Sequence, residues 1–236
     1  TFYQFKQIKD LLLLKSRISD FCKFNKIKGT IILAEEGVNG TIAGYAQSIK
    51  NFQLEIKKIG FENFNPKYSY SKFMPFFRLK VRPKKEIVTL RTKIADPENI
   101  TGNKIKPENW NKIISDNNTI LIDVRNDFEV EMGTFRGSIN PKTKSFTEFK
   151  SYLKDNLSEA KDKKIAMFCT GGIRCEKISS YMIKKGFKNV NQLHGGILNY
   201  LEKIPEKNSL WDGECFVFDN RVSVKNELKD GTFQLC

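Results

Sequence analysis

Hydrophobic positions follow two regimes along the chain. In residues 1–90, short β-rich runs alternate with helical spacing. "FYQFKQI" has strand composition, and residues 10–26 set Leu11, Leu14, Ile18, Phe21 and Phe24 on one helical face, with Cys22 inside that helix as a packed thiol. Two β-rich runs, Thr30–Leu33 and Thr41–Ala43, then read as a hairpin around a turn bearing Gly37, Asn39 and Gly40. "SIKNFQLEIKKIG" returns to helical spacing and stops at Gly60, and "FFRLKVRPKKEIVTL" supplies one or two further strands. The order β-α-β-β-α-β predicts a ferredoxin-like α+β domain over residues 1–90.

Residues 91–106 lose this periodicity and gather Pro, Gly and Asn, the composition of a linker. A second pattern begins at Pro107. "PENWNKIIS" reads as a helix with Pro in its first turn, and "TILIDV", "KIAMFC" and "NVNQL" read as strands. They alternate with the helices "SFTEFKSYLKDNL", "CEKISSYMIKKG" and "GILNYLEKI". That alternation predicts an α/β domain over residues 107–208 with a parallel sheet covered on both faces. The tail, residues 209–236, contains "SLWDGECFVFDNRVSV", apolar enough to pack back on the domains.

Composition removes several function classes. No apolar run approaches the ~18 residues of a membrane span, and "TFYQFKQIKD" lacks the layout of a secretory signal, so the expected location is cytoplasmic. The five cysteines form no C-x-x-C pair and are too scattered for a disulfide framework. The one histidine, His194, makes a two-histidine iron site, a zinc site or a Ser-His-Asp arrangement improbable within the chain, so no metal site is expected. The formal charge of +14 is unevenly divided, with 19 Lys and Arg against 9 Asp and Glu in residues 1–100. The basic first half would attract a polyanion such as RNA, although a general excess of Lys produces the same imbalance without any binding role.

The chemistry concentrates in "CTGGIRCEK", residues 169–177. Cys169 ends an apolar strand ahead of a helix that begins near Arg174, which places its sulfur at a helix N-terminus, where unpaired N–H groups favour a thiolate. Gly171 and Gly172 let the loop, with Thr170 and Ile173, curl into an anion nest, and Arg174 adds a fixed positive charge. The C-x4-R spacing is one residue shorter than the C-x5-R loop of cysteine phosphatases, too small for a phosphoryl group. Cys175 has two readings: a resolving thiol for an oxidised or persulfurated Cys169, or a small residue packing the helix start.

These motifs, with "LIDVRNDFEVEMGTFRGSI" and "QLHGGILNYLE", resemble a rhodanese domain, over about residues 105–205. In that resemblance Asp123, Arg125, the Glu129 turn and the Gly195-Gly196 turn support the cysteine loop. "AEEGVNGTIAG" and "WDGECFVFDNRVSV" extend the likeness to the two-domain bacterial tRNA uridine hydroxylases, in which an acylphosphatase-like (ferredoxin-like) domain precedes the rhodanese-like domain. The resemblance implies oxygen-dependent conversion of wobble uridine to 5-hydroxyuridine in tRNA, with Cys169 as the catalytic cysteine. It also implies a further cysteine-bearing tail beginning where this chain stops, at Cys236. His194 stands where the family more often has another polar residue and reads as an exposed turn residue.

With tRNA as the expected partner, the phosphate grip falls on Arg78, Lys80, Arg82, Lys84 and Lys85, because "RLKVRPKK" puts alternate basic side chains on one face of a strand. The aromatic residues of "YSYSKFMPFF" read either as stacking partners for splayed bases or as core. Glu35, Glu36 and Asn39 either touch a base edge or stabilise a turn. Neither a dinucleotide fingerprint nor an iron site is present, so no cofactor is expected beyond molecular oxygen as co-substrate, and the reductant is unspecified. Two roles follow for Cys169: addition to the uracil ring, which makes the neighbouring carbon nucleophilic, or carriage of a persulfide. The competing functions are a sulfurtransferase and a catalytically idle RNA-binding module. No protein partner and no membrane association is expected.

Overall fold

The computed structural model describes residues 1–234, and Leu235 and Cys236 of the expected tail lie outside the described residues. The chain forms two compact units, one of Thr1–Thr89 with Phe218–Arg221 and one of Leu90–Val217 with residues 222–234.

The first unit runs β1 (Phe2–Phe5), α1 (Leu11–Phe24), β2 (Lys28–Ala34), β3 (Gly37–Ala43), α2 (Ala46–Lys58) and β4 (Leu79–Pro83). Asp10 starts α1 by accepting the Leu13 N–H at 2.9 Å, satisfying a donor that the first turn leaves unpaired. The sheet order is β1-β3-β2-β4; β3 is antiparallel to both of its neighbours, and β4 adds to the β2 edge in parallel. Ile31 and Leu33 of β2, Val38 of β3, Ile18 and Cys22 of α1, and Phe52 and Ile56 of α2 close one core.

Two local expectations are corrected here. The hairpin turn is Glu35-Glu36, and Gly37, Asn39 and Gly40 lie inside β3. They are strand glycines because β3 is squeezed between two strands: a Cβ on Gly37 would lie 2.1 Å from the Gln4 carbonyl oxygen, and one on Gly40 2.8 Å from that of Thr30. Phe24 is exposed, and Cys22 takes its place on the buried face of α1. At 100° per residue Cys22 lies about 40° from Ile18, whereas Phe24 lies about 120° away.

The second unit begins earlier than Pro107. Residues 103–105, in the expected linker, form β5 (Asn103–Ile105), an edge strand parallel to a later strand of the sheet. Then follow α3 (Pro107–Ile114), β6 (Thr119–Asp123), α4 (Asp127–Glu131), β7 (Gly133–Phe135), α5 (Phe149–Leu157), β8 (Lys164–Phe168), α6 (Ile173–Lys184), β9 (Asn189–Leu193) and α7 (Gly196–Lys203). The parallel sheet has the order β5-β9-β8-β6. Its β6 and β8 run side by side and end level, Asp123 opposite Phe168, so the loops after them share one end of the sheet. Ligands bind at that carboxyl end in open α/β sheets.

The chain then returns as β10 (Trp211–Gly213), paired with β7, and as the short ladder β11 (Cys215–Phe216) with β12 (Ser223–Val224). Trp211, Cys215, Val217 and Val224 join the core of this unit. Phe135 is its hub, in edge-to-face contact with Phe168, Tyr200 and Trp211 at centroid distances of 4.8, 4.7 and 5.2 Å. Such aromatic pairs add to the stabilisation that burial alone gives. Because Phe168 immediately precedes Cys169, this packing fixes the base of the thiol loop.

Candidate active site around Cys169

The loop between β8 and α6 is anchored from both sides. Val124 N–H donates to the Phe168 carbonyl at 3.0 Å, tying the end of β6 to the end of β8. Across the loop, the first turn of α7 donates Ile197 N–H to the Cys169 carbonyl at 3.0 Å and Leu198 N–H to the Thr170 carbonyl at 3.1 Å. The unpaired donors of one helix thus hold the backbone that carries the thiol. Gly195 and Gly196 make this approach with left-handed backbones, and a Cβ on Gly196 would lie 2.4 Å from the Cys169 carbonyl oxygen. The Gly-Gly curl expected at 171–172 resolves into two roles. Gly172 alone is left-handed, with φ 106°, as the residue before α6; Gly171 is not, and a Cβ added there would meet nothing within 4 Å. The loop is therefore open at Gly171 and closed at Gly196.

Cys169 itself is fully buried. Its Sγ accepts the Gly172 N–H at 3.2 Å. Burial alone would push the thiol up. Hydrogen bonds from the Cys175 side chain, the Arg174 charge and the backbone N–H groups of Cys175 and Gly172 outweigh it and bring Cys169 down to about 6. Cys175, also fully buried, is held well above the ordinary thiol range, first by burial and then by its bond to the Cys169 sulfur.

Arg174 is where the structure adds most to the sequence. Its guanidinium does not stand free beside the loop: Nη1 and Nη2 bond both Glu129 oxygens at 2.6 and 2.8 Å, and Nη2 reaches Thr170 Oγ1 at 3.2 Å. Glu129 is buried in α4 and takes the Asn126 N–H at 3.1 Å. Burial raises this carboxyl, but Arg174 and Arg125 more than offset that, and its pKa lies below the usual value. A second bidentate pair lies beneath the site. Arg125 Nε and Nη2 bond Asp123 at 2.9 and 2.6 Å, Thr134 Oγ1 donates to Asp123 at 2.8 Å, and Arg125 sits 5.1 Å from the Trp211 ring centroid. Both pairs are buried and matched, so their charges brace the loop.

Thr134, Trp211 and the α7 amides were not individually legible as site residues. Their only signal was membership of "GTFRGSI", "WDGECF" and "HGGIL". His194 is exposed, as expected of a turn residue. Among the described residues, no three His, Cys, Asp or Glu side chains are grouped to hold a metal ion, and no helix is long and apolar enough to cross a membrane.

The expected RNA-contact residues belong to the first unit. Lys80 and Arg82 are two residues apart on β4, and Arg78, Arg82, Lys84 and Lys85 are exposed. Tyr70 and Phe77 are 90% and 86% exposed, which removes them from the core. Glu36, in the hairpin turn, and Asn39, inside β3, both hold the Ile87 backbone rather than the turn itself: Glu36 accepts the Ile87 N–H at 2.7 Å, and Asn39 donates to the Ile87 carbonyl at 2.9 Å.

An acylphosphatase-like α+β unit followed by a rhodanese-type α/β unit with a buried, acidified cysteine defines the class. Comparisons with known proteins agree. Residues 1–87 match the UPF0176 acylphosphatase like domain, and residues 106–203 match the rhodanese-like domain. A protein of Teredinibacter turnerae named tRNA uridine(34) hydroxylase is 49% identical over 235 residues, which is 99% of this chain and 73% of the relative. This chain belongs to the tRNA uridine(34) hydroxylase family. Among solved structures, a rhodanese-related protein from Thermoplasma volcanium is 25% identical over 44% of this chain and 95% of its own, with a TM-score of 0.34. A rhodanese-like domain from Anabaena is 14% identical over 47% of this chain and 78% of its own, with a TM-score of 0.39.

Proposed function

We propose that this chain hydroxylates the wobble uridine of tRNA to 5-hydroxyuridine, an oxidoreductase reaction in which Cys169 is the reacting thiol. The observation that carries the reading is the 49% identity to a tRNA uridine(34) hydroxylase across both units. The Cys169 loop gives it chemical content, because a thiolate at neutral pH is the nucleophile that covalent attack on a pyrimidine requires. Addition of sulfur to the ring makes the adjacent carbon electron-rich and open to oxidation. Gly172 N–H and the braced Arg174 hold the negative charge on sulfur as it forms and as it is released. With molecular oxygen as donor, one oxygen atom enters uridine and the other leaves as water, so each turnover consumes a two-electron reductant.

The first unit supplies the grip on tRNA in this reading. Residues 63–85 hold seven Lys and Arg and no Asp or Glu, the charge pattern of a phosphate-binding surface. A persulfide on Cys169 is the chemistry that a sulfurtransferase would use at the same loop. The deciding experiment incubates the protein with unmodified tRNA under air and under argon, digests the RNA and measures nucleoside masses. A gain of one oxygen on uridine under air alone, lost in Cys169→Ser, supports hydroxylation. Thiosulfate-dependent sulfur transfer without any oxygen gain would replace the reading with the sulfurtransferase.

A further inference from the structure

The RNA contacts expected from the sequence all lie in the first unit, but the second unit carries basic and aromatic side chains beside its thiol loop. Residues 132–147 hold Arg136, Lys142 and Lys144 and no Asp or Glu. Arg136 is paired with Asp212 at 3.0 Å, whereas Lys142 and Lys144 are exposed and form no ion pair among the described residues. Between them Thr143 is buried, and its carbonyl accepts the Asp127 N–H at 2.8 Å, which docks this loop on the start of α4. Asn140 ties the same place, donating to Asp127 at 2.7 Å and accepting the Lys142 N–H at 2.8 Å. The next residue of α4, Phe128, is 47% exposed, and Phe216 meets its ring edge-to-face at 5.2 Å. Glu129 follows, and bonds Arg174 of the thiol loop at 2.6 and 2.8 Å. We propose that Phe128, Lys142 and Lys144 form a nucleotide-binding surface of the second unit, in which the ring stacks on an unpaired base of tRNA and the two ammonium groups hold its flanking phosphates.

An exposed phenylalanine is ordinary by itself, and so is a surface lysine. What singles these out is their company and their support. An enzyme that does chemistry on a base takes that base out of its stack, so the ring presented to Cys169 has lost its neighbours. Every base has a π-face, and an aromatic side chain beside the site replaces the lost stacking without reading the base edge. Cations near the ring position the backbone. The loop that carries them is fixed in advance. Lys142 has a left-handed backbone, with φ 54°, held by the Asn140 bond, and Ile139 pairs with β6 through Leu121 and Asp123 at 2.8 and 3.1 Å. Asp127 and Glu148, the acidic residues bonded to this loop, serve its support: Asp127 takes the Asn140 amide, and Glu148 accepts the Lys144 N–H at 2.9 Å.

This inference deepens the hydroxylase reading and rests on its tRNA substrate; binding is measured apart from turnover so that the two can fail separately. tRNA carrying 5-bromouridine at the wobble position is irradiated with the full chain, and the cross-linked peptide is sequenced by mass spectrometry. Attachment at Phe128 is expected, and attachment only at Tyr70 or Phe77 would overturn the proposal. Affinity for the anticodon stem-loop is then followed against salt. Lys142→Gln combined with Lys144→Gln is expected to lower the slope of log K against log salt by about 1.4, from about 0.7 for each single-strand phosphate. Phe128→Ala is expected to weaken binding about tenfold at an unchanged slope. Phe128→Tyr is expected to restore it, and Phe128→Leu, which keeps apolar bulk against Phe216, is not. Melting curves show that the variants fold. A Phe128→Leu protein that binds like wild type would reduce Phe128 to a packing residue and overturn the stacking. Phe128-dependent binding without any oxygen gain would remove the hydroxylase reading and leave this surface standing. Oxygen gain with every variant binding as wild type would overturn this surface alone.

Discussion

Removing the negative charge at Glu129 separates two quantities that ordinary damage would move together. Glu129→Gln keeps the size of the side chain but leaves the buried Arg174 guanidinium without the carboxylate it now bonds at 2.6 and 2.8 Å. Breaking a buried pair from one side costs about 3–5 kcal/mol; the amide oxygen retains one bond, so about 3 kcal/mol is expected. For a chain of this size that lowers the melting temperature by roughly 6–12 °C. The thiol responds in the opposite sense. Arg174 already favours the Cys169 thiolate, and with Glu129 neutral that charge is no longer balanced, so Cys169 falls below about 6. The assay pairs a thermal melt by circular dichroism with a pH titration of thiolate absorbance on the same sample. A less stable protein with a more acidic thiol is the expected result. A thiol that rises toward the free-cysteine range would mean that the loop opens when the brace is lost, and would refute the charge balance argued for the site.

Gly171 and Gly196 give a contrasting pair. Gly171→Ala, with nothing within 4 Å of its Cβ, is expected to keep the wild-type melting point, whereas Gly196→Ala, 2.4 Å from the Cys169 carbonyl oxygen, is expected to lose both stability and hydroxylation. Lys80→Gln and Arg82→Gln are each expected to reduce the salt dependence of tRNA binding, lowering the slope of log K against log salt by about 1 per charge removed. Tyr70→Ala and Phe77→Ala, at 90% and 86% exposed positions, are expected to weaken single-stranded RNA binding at every salt concentration with an unchanged slope, since stacking releases no counterions. Hydroxylation is expected to rise with pH through about 6, as Cys169 loses its proton, and then to level off. Folded-state ionisation below the ordinary value of 9.0 stabilises the native protein above that value, and the contribution fades as pH falls toward about 6. On acidification this part of stability is therefore lost first, between about 9 and about 6, and activity falls only as the pH passes through about 6, an order that a pH series of rates and melts on one preparation would show.

The order of elements was legible because each half of the chain repeats its own hydrophobic period. The errors arose where one residue type serves two ends. Gly37 and Gly40 carry a turn's composition, but the constraint on them is lateral, from Gln4 and Thr30 on the strands either side, and lateral neighbours are invisible to a local pattern. β5 is three residues long, too short to show any alternation inside a polar stretch. At the site, a thiol before a glycine-rich helix start was readable because helix N-termini act on sulfur at close range along the chain. The pairing of Arg174 with Glu129, 45 residues away, was not, because spacing says nothing about which carboxylate folds back. The burial of Cys169 was hidden for the same reason: α7, which closes over the loop, enters 27 residues later.

The return of the chain after α7 sets a timetable for synthesis. β10 supplies the Trp211 ring beside Arg125, and Phe218–Arg221 belongs to the first unit, where Asn220 N–H donates to the Pro75 carbonyl at 3.1 Å and Arg221 to Ser69 at 3.0 Å. Domains ordinarily fold in the order they leave the ribosome, the N-terminal one first. Here the first unit waits for residues translated after most of the second, and the second still lacks residues 222–234 at that moment. A nascent chain arrested at residue 205 would have made every residue of the thiol loop and of both arginine pairs, yet neither unit would be finished. Completion of the two units is thus nearly simultaneous: Phe218–Arg221 close the first, and the residues that directly follow them close the second.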